Sequence, residues 1–337
     1  MFVTSLGRKA AATSVLVDVS LAGGARGAGE APTSFVQPHE TPEAIRRVLT
    51  DARRLLCGGP VGEYPPRLAE LRGRHREFHM TLAGLEVALF RADLARRGRD
   101  ELAHWGGRLR RLETDITIPF APGAGMLARW LDRVVPQGFS TYKVKVSGLV
   151  PADLAFVSAV RDALRRRRPN GELVLRLDGN QGYAATPYRR MVDGLAKAGV
   201  AVELFEQPLR KDDFAGLKRI RGHGGVPVIL DETVFDAEAC RRAAAEGLGD
   251  GVNIKIAKSG IAGSAEILRV ARAAGMKLMI GCMTETMVGL SAGIRLAAGT
   301  GAFDYVDLDG VHFLHHRRRW EDITIDGNEY ALEGPKA

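Results

Sequence analysis

Five charged residues close five short apolar runs in the middle of the chain. They are Lys145 in TYKVKV, Asp178 in LVLRLDGNQG, Glu206 in VELFEQP, Asp231 in VPVILDET and Lys255 in GVNIKIAKSG. The acids are 28 and 25 residues apart, and Lys255 follows 24 later, close to the roughly 30 residues of a strand–helix–strand unit. Such spacing brings one functional side chain per unit to a common rim. Three carboxylates without a nearby histidine or cysteine form a hard oxygen set suited to Mg2+, with Mn2+ as the alternative. Two lysines beside them suit proton transfer, because neighbouring cations can lower an amine toward neutrality.

Positioning these groups requires a repeating α/β frame. Strands are expected at 114–118, 142–146, 173–178, 202–206, 226–231, 251–256, 277–282 and 305–309, each a Val/Ile/Leu-rich run separated from the next by a helical stretch. Near-continuous apolar strands alternating with helices indicate a parallel sheet covered by helices. Eight of them close as a TIM-type (β/α)7–8 barrel, whose active sites lie at the carboxyl ends of the strands. A doubly wound open sheet is the alternative, but no GxGxxG or P-loop follows an early strand. Lys143 and Lys145 share strand parity and should both face inward. Lys145 on strand two and Lys255 on strand six would oppose each other across the ring. Lys258, beyond the strand end, is the competing lysine. Amines on opposite faces of a bound carboxylate suit removal of the proton α to it and its return to the other face.

The first hundred residues read as α+β. SVLVDVSLAGGARGAGEA suggests two strands about a Gly-rich turn, and Thr41 with Pro42 marks a helix start. This gives an expected cap over 1–112, a barrel over 113–312 and a tail over 313–337 that returns to the cap. Within 337 residues the net charge is +8, so a polyanion partner must be weighed. The basic runs Arg165–Arg168 and Arg317–Arg319, the second preceded by His315 and His316, lack interleaved aromatics. Arginine in a last helical turn suits the helix dipole; a solvated surface is expected, with no nucleic acid. No apolar run reaches the ~20 residues of a membrane span. Cys57, Cys240 and Cys282 form no CxxC pair, and with no signal-peptide core near Met1 a cytoplasmic protein is expected.

Taken together, KVK, LRLDGNQG, ELFEQPL, VILDET and NIKIAKSG resemble the muconate-lactonising branch of the enolase superfamily. The resemblance spans nearly the whole chain. It implies Asp178, Glu206 and Asp231 as ligands of Mg2+, Lys145 and Lys255 as the acid/base pair, and Lys143, Asn180, Glu232 and Glu285 as their neighbours. Enolase-type sites with a lysine base and Mg2+ are a known pattern. FDYVDLDGVHF and IGCMTET are similar to the dipeptide epimerases of that branch. They imply Asp307 and Asp309 as the site for a dipeptide's α-ammonium, with Cys282 and Thr284 lining the pocket. The implied reaction is epimerisation at the C-terminal residue of a dipeptide through a metal-stabilised enolate. Alternatives are an o-succinylbenzoate synthase, N-acylamino-acid racemase or cycloisomerase, whose substrates need no free ammonium, or a non-catalytic binding protein on the same frame. A homo-oligomer is implied as well. Two departures from the family are expected: Met1 falls almost on the strand-to-loop junction, so that its first strand would be absent, and the connection from Lys145 to Asp178 is long.

Overall fold

In the computed structural model, which describes residues 2–4, 7–9, 11–120, 124–314 and 319–333, the chain opens with two antiparallel hairpins. The strands β1 (Phe2–Thr4) and β2 (Gly7–Lys9) pair with each other, as do β3 (Ser14–Ser20) and β4 (Arg26–Pro32). Four helices follow: α1 (Pro42–Leu56), α2 (Tyr64–Arg74), α3 (His79–Arg96) and α4 (Glu101–His104). Thr41 caps α1 by accepting the Ala44 amide, with Pro42 in the first turn, as the sequence leads one to expect. Val17, Val48, Leu68, Leu71, Leu82 and Leu89 give this cap a core of its own. The other side of α3, with Val87, Phe90 and Leu94, joins the core of the barrel.

After β5 (Arg111–Glu113) the alternation becomes regular. The elements run β6 (Ile116–Ile118), α5 (Ala124–Val134), β7 (Thr141–Lys145), α6 (Val150–Arg167), β8 (Val174–Asp178), α7 (Ala185–Lys197), β9 (Leu204–Glu206) and α8 (Phe214–Ile220). They continue with β10 (Val228–Leu230), α9 (Ala237–Glu246), β11 (Gly251–Lys255), α10 (Ile256–Ala273), β12 (Lys277–Gly281), α11 (Met287–Thr300) and β13 (Tyr305–Asp307). The strands from β6 to β13 lie side by side in sequence order, all parallel. The seam between β13 and β6 is drawn together by the Asp115 amide on the Val306 carbonyl (3.3 Å) and the Leu308 amide on Thr114 Oγ1 (2.8 Å). The result is a nearly closed eight-stranded barrel, with every expected strand present and in order.

Alternation along these strands sorts the barrel into two environments. Outward residues such as Tyr142, Val144, Leu175, Leu177, Val228, Leu230, Val252 and Ile254 pack against the helices. Inward residues divide by height. Leu204, Ile229, Met279 and Tyr305 make a small apolar floor, and above it the interior is ionic. The long connection between Lys145 and Asp178 is the 18-residue helix α6, with Arg165, Arg166 and Arg167 in its last turn.

The tail forms β14 (Arg319–Trp320), β15 (Ile323–Asp326) and β16 (Glu329–Leu332), and β16 pairs with β5. Ile323, Ile325, Tyr330 and Leu332 are buried in the barrel core. Besides the pairing with β5, Arg295 of α11 joins the tail to the capping segment, bonding Glu101 in α4 and also Glu321 and Asp322 in the tail. Residues 315–318 of the second basic run lie outside the described residues.

Three glutamates bind the layers by capping helices that are not their own. Glu40 accepts the amides of Met80 and Thr81 at the start of α3 (3.0 and 2.8 Å). Glu30, from β4, accepts the amides of Thr286 and Gly289 at the start of α11. Glu86, from α3, accepts the amides of Ile261 and Ala262 (3.1 and 3.0 Å), where α10 restarts after a kink at Gly260 (φ 70°). A Cβ on Gly260 would lie 1.9 Å from Glu86 Oε2, so glycine is needed there for space as well as for φ. Carboxylates suit these positions because the first amides of a helix lack partners and carry partial positive charge. Replacing Glu86 with alanine strands two helix-start amides, that of Ile261 buried and that of Ala262 partly so, and leaves Arg72 without its partner. It should lower unfolding stability by about 2–4 kcal/mol, read as a shift in urea midpoint at constant slope. A loss below about 1 kcal/mol would show that the cap and α10 are not joined in this way.

Candidate functional site

Strand register sets the geometry. Lys145 is the register partner of Asp178, Asp178 of Glu206, and Lys255 of Gly281, whose strand neighbour is Asp307. All of these side chains have inward parity at the carboxyl rim. Lys145 and Lys255 end the second and sixth barrel strands, which face each other across the ring. Gly281 leaves the room that Lys255 occupies, since a Cβ there would lie 2.9 Å from Lys255 Cε. Over the rim lies a cavity of about 560 Å3, lined by Lys143, Lys145, Asn180, Asp231, Glu232, Lys255, Cys282, Thr284, Asp307 and Asp309. Thr33, Ser34, Phe35 and Val36, which follow β4, and Ala11 and Ala12 cover it from the capping segment.

Buried charges here are answered by buried charges. Lys145 bonds Asp178, and Lys143 bonds Asp307 while standing 3.4 Å from Glu206 Oε2. Lys255 lies 2.8 Å from Asp231 and 3.7 Å from Glu206. Lys258 reaches Asp231 Oδ1 (2.7 Å) and the carbonyls of Asp231, Val234 and Asn253. It therefore anchors Asp231 from behind and does not line the cavity. Burial opposes charge on Lys143 and Lys255, but the carboxylates of Asp307 and Glu206 around the first, and of Asp231 and Glu206 around the second, outweigh it and raise both amines well above the usual lysine range. For Lys258 burial wins and its amine is lowered. Burial likewise opposes charge on Asp231, yet Lys255 and Lys258 hold that carboxyl far below the usual range.

Other carboxyls move the opposite way. Glu232 rises to about 8 through burial and the nearby Asp231 and Asp178. Glu285 rises to about 8 through burial and Glu30, and it accepts the Met283 amide. Asp309 rises to about 6 through burial and Asp307, although the Thr117 amide donates to it at 2.6 Å. Burial and the carboxylates of Asp309 and Asp307 raise the Cys282 thiol, whose sulfur accepts the Gly310 amide.

Two acidic groups bear on a divalent cation. Asp115, Asp307 and Asp309 each bring an oxygen within 4.8 Å of the others, all buried, a spacing compatible with one ion. Arg176 bonds Asp115 (2.8 Å) and Lys143 bonds Asp307. Asp178, Glu206 and Asp231 end consecutive strands, and among the described residues they do not draw as close together; each meets a lysine. That second set holds bare oxygens. Its Glu206 Oε2 is buried and accepts no hydrogen bond, both oxygens of the neighbouring Glu232 are bare in the same way, and so are Asp115 Oδ1 and Asp307 Oδ1 in the first set. Buried carboxylate oxygens without donors fit a cation, and the all-oxygen set fits a hard one.

Several contributors escaped sequence reasoning. Gln207, at φ 30°, accepts the amides of Asp231 and Thr233 and donates to the Leu209 carbonyl, tying the ends of β9 and β10 together. Asn253 donates to Glu206 Oε1 at 2.7 Å. Arg176 reaches from β8 to Asp115 just ahead of β6 and to Glu203 just ahead of the neighbouring β9. A usable signal existed for three of them, since Asp115, Arg176 and Asn253 each sit two residues before an inward rim position. The side chains that α5 contributes carried no such signal.

A parallel barrel with acids and lysines on one rim and a separate cap above defines a class of enzyme-like frames. Residues 126–334 match the family model described as enolase C-terminal domain-like, and the chain belongs to that superfamily. It is 32% identical over 314 residues to the aromatic dipeptide epimerase of Herpetosiphon aurantiacus, covering 93% of this chain and 86% of that protein. Among solved structures it resembles the substrate-liganded L-Ala-D/L-Glu epimerase of Bacillus subtilis, with a TM-score of 0.90, 29% identity, and coverage of 99% of this chain and 92% of that one. The dipeptide epimerase of Enterococcus faecalis V583, complexed with Mg and L-Leu-L-Tyr, gives a TM-score of 0.87 at 27% identity, covering 98% of this chain and 92% of that one.

The anchoring of Asp231 can be tested apart from any activity. Lys258→Met removes a buried ammonium from four oxygen acceptors. It should cost about 3–5 kcal/mol of unfolding stability, measured by chemical denaturation. A variant as stable as the parent would show that Asp231 does not depend on this lysine.

Proposed function

We propose that the protein is a Mg2+-dependent dipeptide epimerase that moves the α-proton of the C-terminal residue between Lys145 and Lys255. The observation that carries this reading is the placement of those two amines at the ends of opposite barrel strands, on one cavity, with Asp307 and Asp309 on its wall. Asp178, Glu206 and Asp231 would hold the cation, which when bound draws negative charge from the substrate's carboxylate and so favours loss of the adjacent proton. The protein's own groups do the rest. One lysine takes the proton from one face, and the other, still protonated, returns one to the opposite face. Lys143 and Asn253 fix Glu206, and Lys258 fixes Asp231, so the carboxylates are held before substrate arrives. The apolar floor keeps bulk water from reaching the amines from below.

Asp307 and Asp309 are the means of selecting a dipeptide, since paired acids on a cavity wall complement a free α-ammonium. A second reading, an N-acylated amino acid as substrate, draws on the engagement of Asp307 by Lys143. Its substrate has no ammonium to bind.

The test is solvent exchange. With Mg2+ in D2O, a substrate should gain one deuterium at the C-terminal α-carbon. Lys145→Ala and Lys255→Ala should each cut epimerisation by roughly 10^2–10^4-fold. Each single variant should still exchange the α-proton of one stereoisomer, and the two variants should retain opposite isomers. Equal loss of exchange for both isomers in both folded variants would contradict the opposed-face arrangement. Asp309→Asn should raise KM for dipeptides by about 10-fold or more, and unchanged kinetics would favour the N-acyl reading.

A further inference from the structure

The cavity wall beside Asp309 is aromatic, and its parts are tied to that carboxylate. The Trp130 indole N–H of α5 donates to the Thr117 carbonyl at 3.1 Å, and the Thr117 amide donates to Asp309 Oδ2 at 2.6 Å. One residue therefore links the indole to the acid. Phe313 stacks on Trp130 with ring centroids 5.3 Å apart and planes 9° from parallel. It belongs to the short 3-10 turn that Asp309 precedes. Ile118 and Leu127 extend the apolar surface within the same cavity. At the outer margin Arg129 and Arg133 also line the cavity and are exposed, and the Arg133 guanidinium stands 5.6 Å from the centroid of the Trp130 ring.

We infer that this wall receives the side chain of the dipeptide's amino-terminal residue and selects a large apolar one, aromatic above all. The inference rests on the proposed function, because an ammonium held by Asp307 and Asp309 fixes the position of the carbon that bears it. The side chain leaves that same carbon, so it must begin within a few bonds of Asp309, where the surface is Trp130 and Phe313. An aromatic ring gains area and edge-to-face or offset contact with such a pair. A methyl side chain leaves the space to water. Lysine or arginine at this position would bring a third cation to a margin that already carries two guanidinium groups, and like charges discriminate by repulsion.

The experiment uses the full chain with Mg2+ in D2O and four L,L-dipeptides sharing a C-terminal alanine, with phenylalanine, leucine, alanine or lysine in front. Deuterium incorporation gives kcat/KM for each, and calorimetry gives Kd. The phenylalanine-first and leucine-first peptides should exceed the alanine-first peptide by about 10-fold or more, with the difference in KM and Kd, and the lysine-first peptide should be the poorest. Trp130→Ala and Phe313→Ala should each shrink the phenylalanine-to-alanine ratio toward one, and Trp130→Phe should preserve most of it. If Trp130→Ala does not fold, the ratio in Phe313→Ala decides. Exchange of alanine-first and phenylalanine-first peptides within about 3-fold of each other would overturn the inference and leave the epimerase reading intact. Exchange in none of the four would overturn both.

Discussion

The rest of the structure depends on the mutual neutralisation of charges inside the barrel. Asp115, Asp178, Glu206, Asp231, Glu232, Asp307 and Asp309 are buried with Lys143, Lys145, Arg176, Lys255 and Lys258. Any one of these alone in a low-dielectric interior would cost several kcal/mol. Together they form a lattice in which nearly every ammonium touches a carboxylate. The acids outnumber the bases by two, the Glu232 carboxyl is pushed up to about 8, and bare oxygens remain on Asp115, Glu206, Glu232 and Asp307. An interior built this way attracts cationic groups, whether a metal ion or a substrate ammonium. Its shape is also set before they arrive, because the partners hold one another at the strand ends.

Much of this was legible in the sequence for a simple reason. A parallel barrel strand puts alternate residues in two different worlds, and an acid or lysine in an otherwise apolar run stands out against Val, Ile and Leu. The strand-end positions Lys145, Asp178, Glu206, Asp231 and Lys255, and the pair Asp307 and Asp309, were therefore visible, and so was the order of the eight strands. Residues at the opposite ends of strands were not. Asp115 lies near the start of the expected strand 114–118, and only the seam with β13 shows that it is buried. Arg176 lies inside an apolar run, and its partners Asp115 and Glu203 are 61 and 27 residues away.

Two further features needed three dimensions. The surface that α5 presents to the cavity comes from an amphipathic helix whose apolar stripe looks like any core-facing stripe. That Trp130 projects toward Asp309 depends on a hydrogen bond to Thr117, one strand-end away. The tail was expected to return to the capping segment. Its strands extend from β5, at the end of that segment, and its apolar side chains enter the barrel core, with Arg295 bridging to α4. Short strands in a polar stretch carry little information about which sheet they will join, because register and partner are decided by packing.

The helix starts capped by Glu30 and Glu86 constrain how the protein can breathe. Both glutamates come from the amino-terminal layer, and both satisfy amides just downstream of rim loops, one beyond Lys255 and the other beyond Cys282 to Glu285. Lifting that layer as one body would bare the first turns of α10 and α11 and unsettle the rim itself. The segments over the cavity, Thr33–Val36 and Ala11–Ala12, are not held by these two caps, while the layer beneath them is clamped.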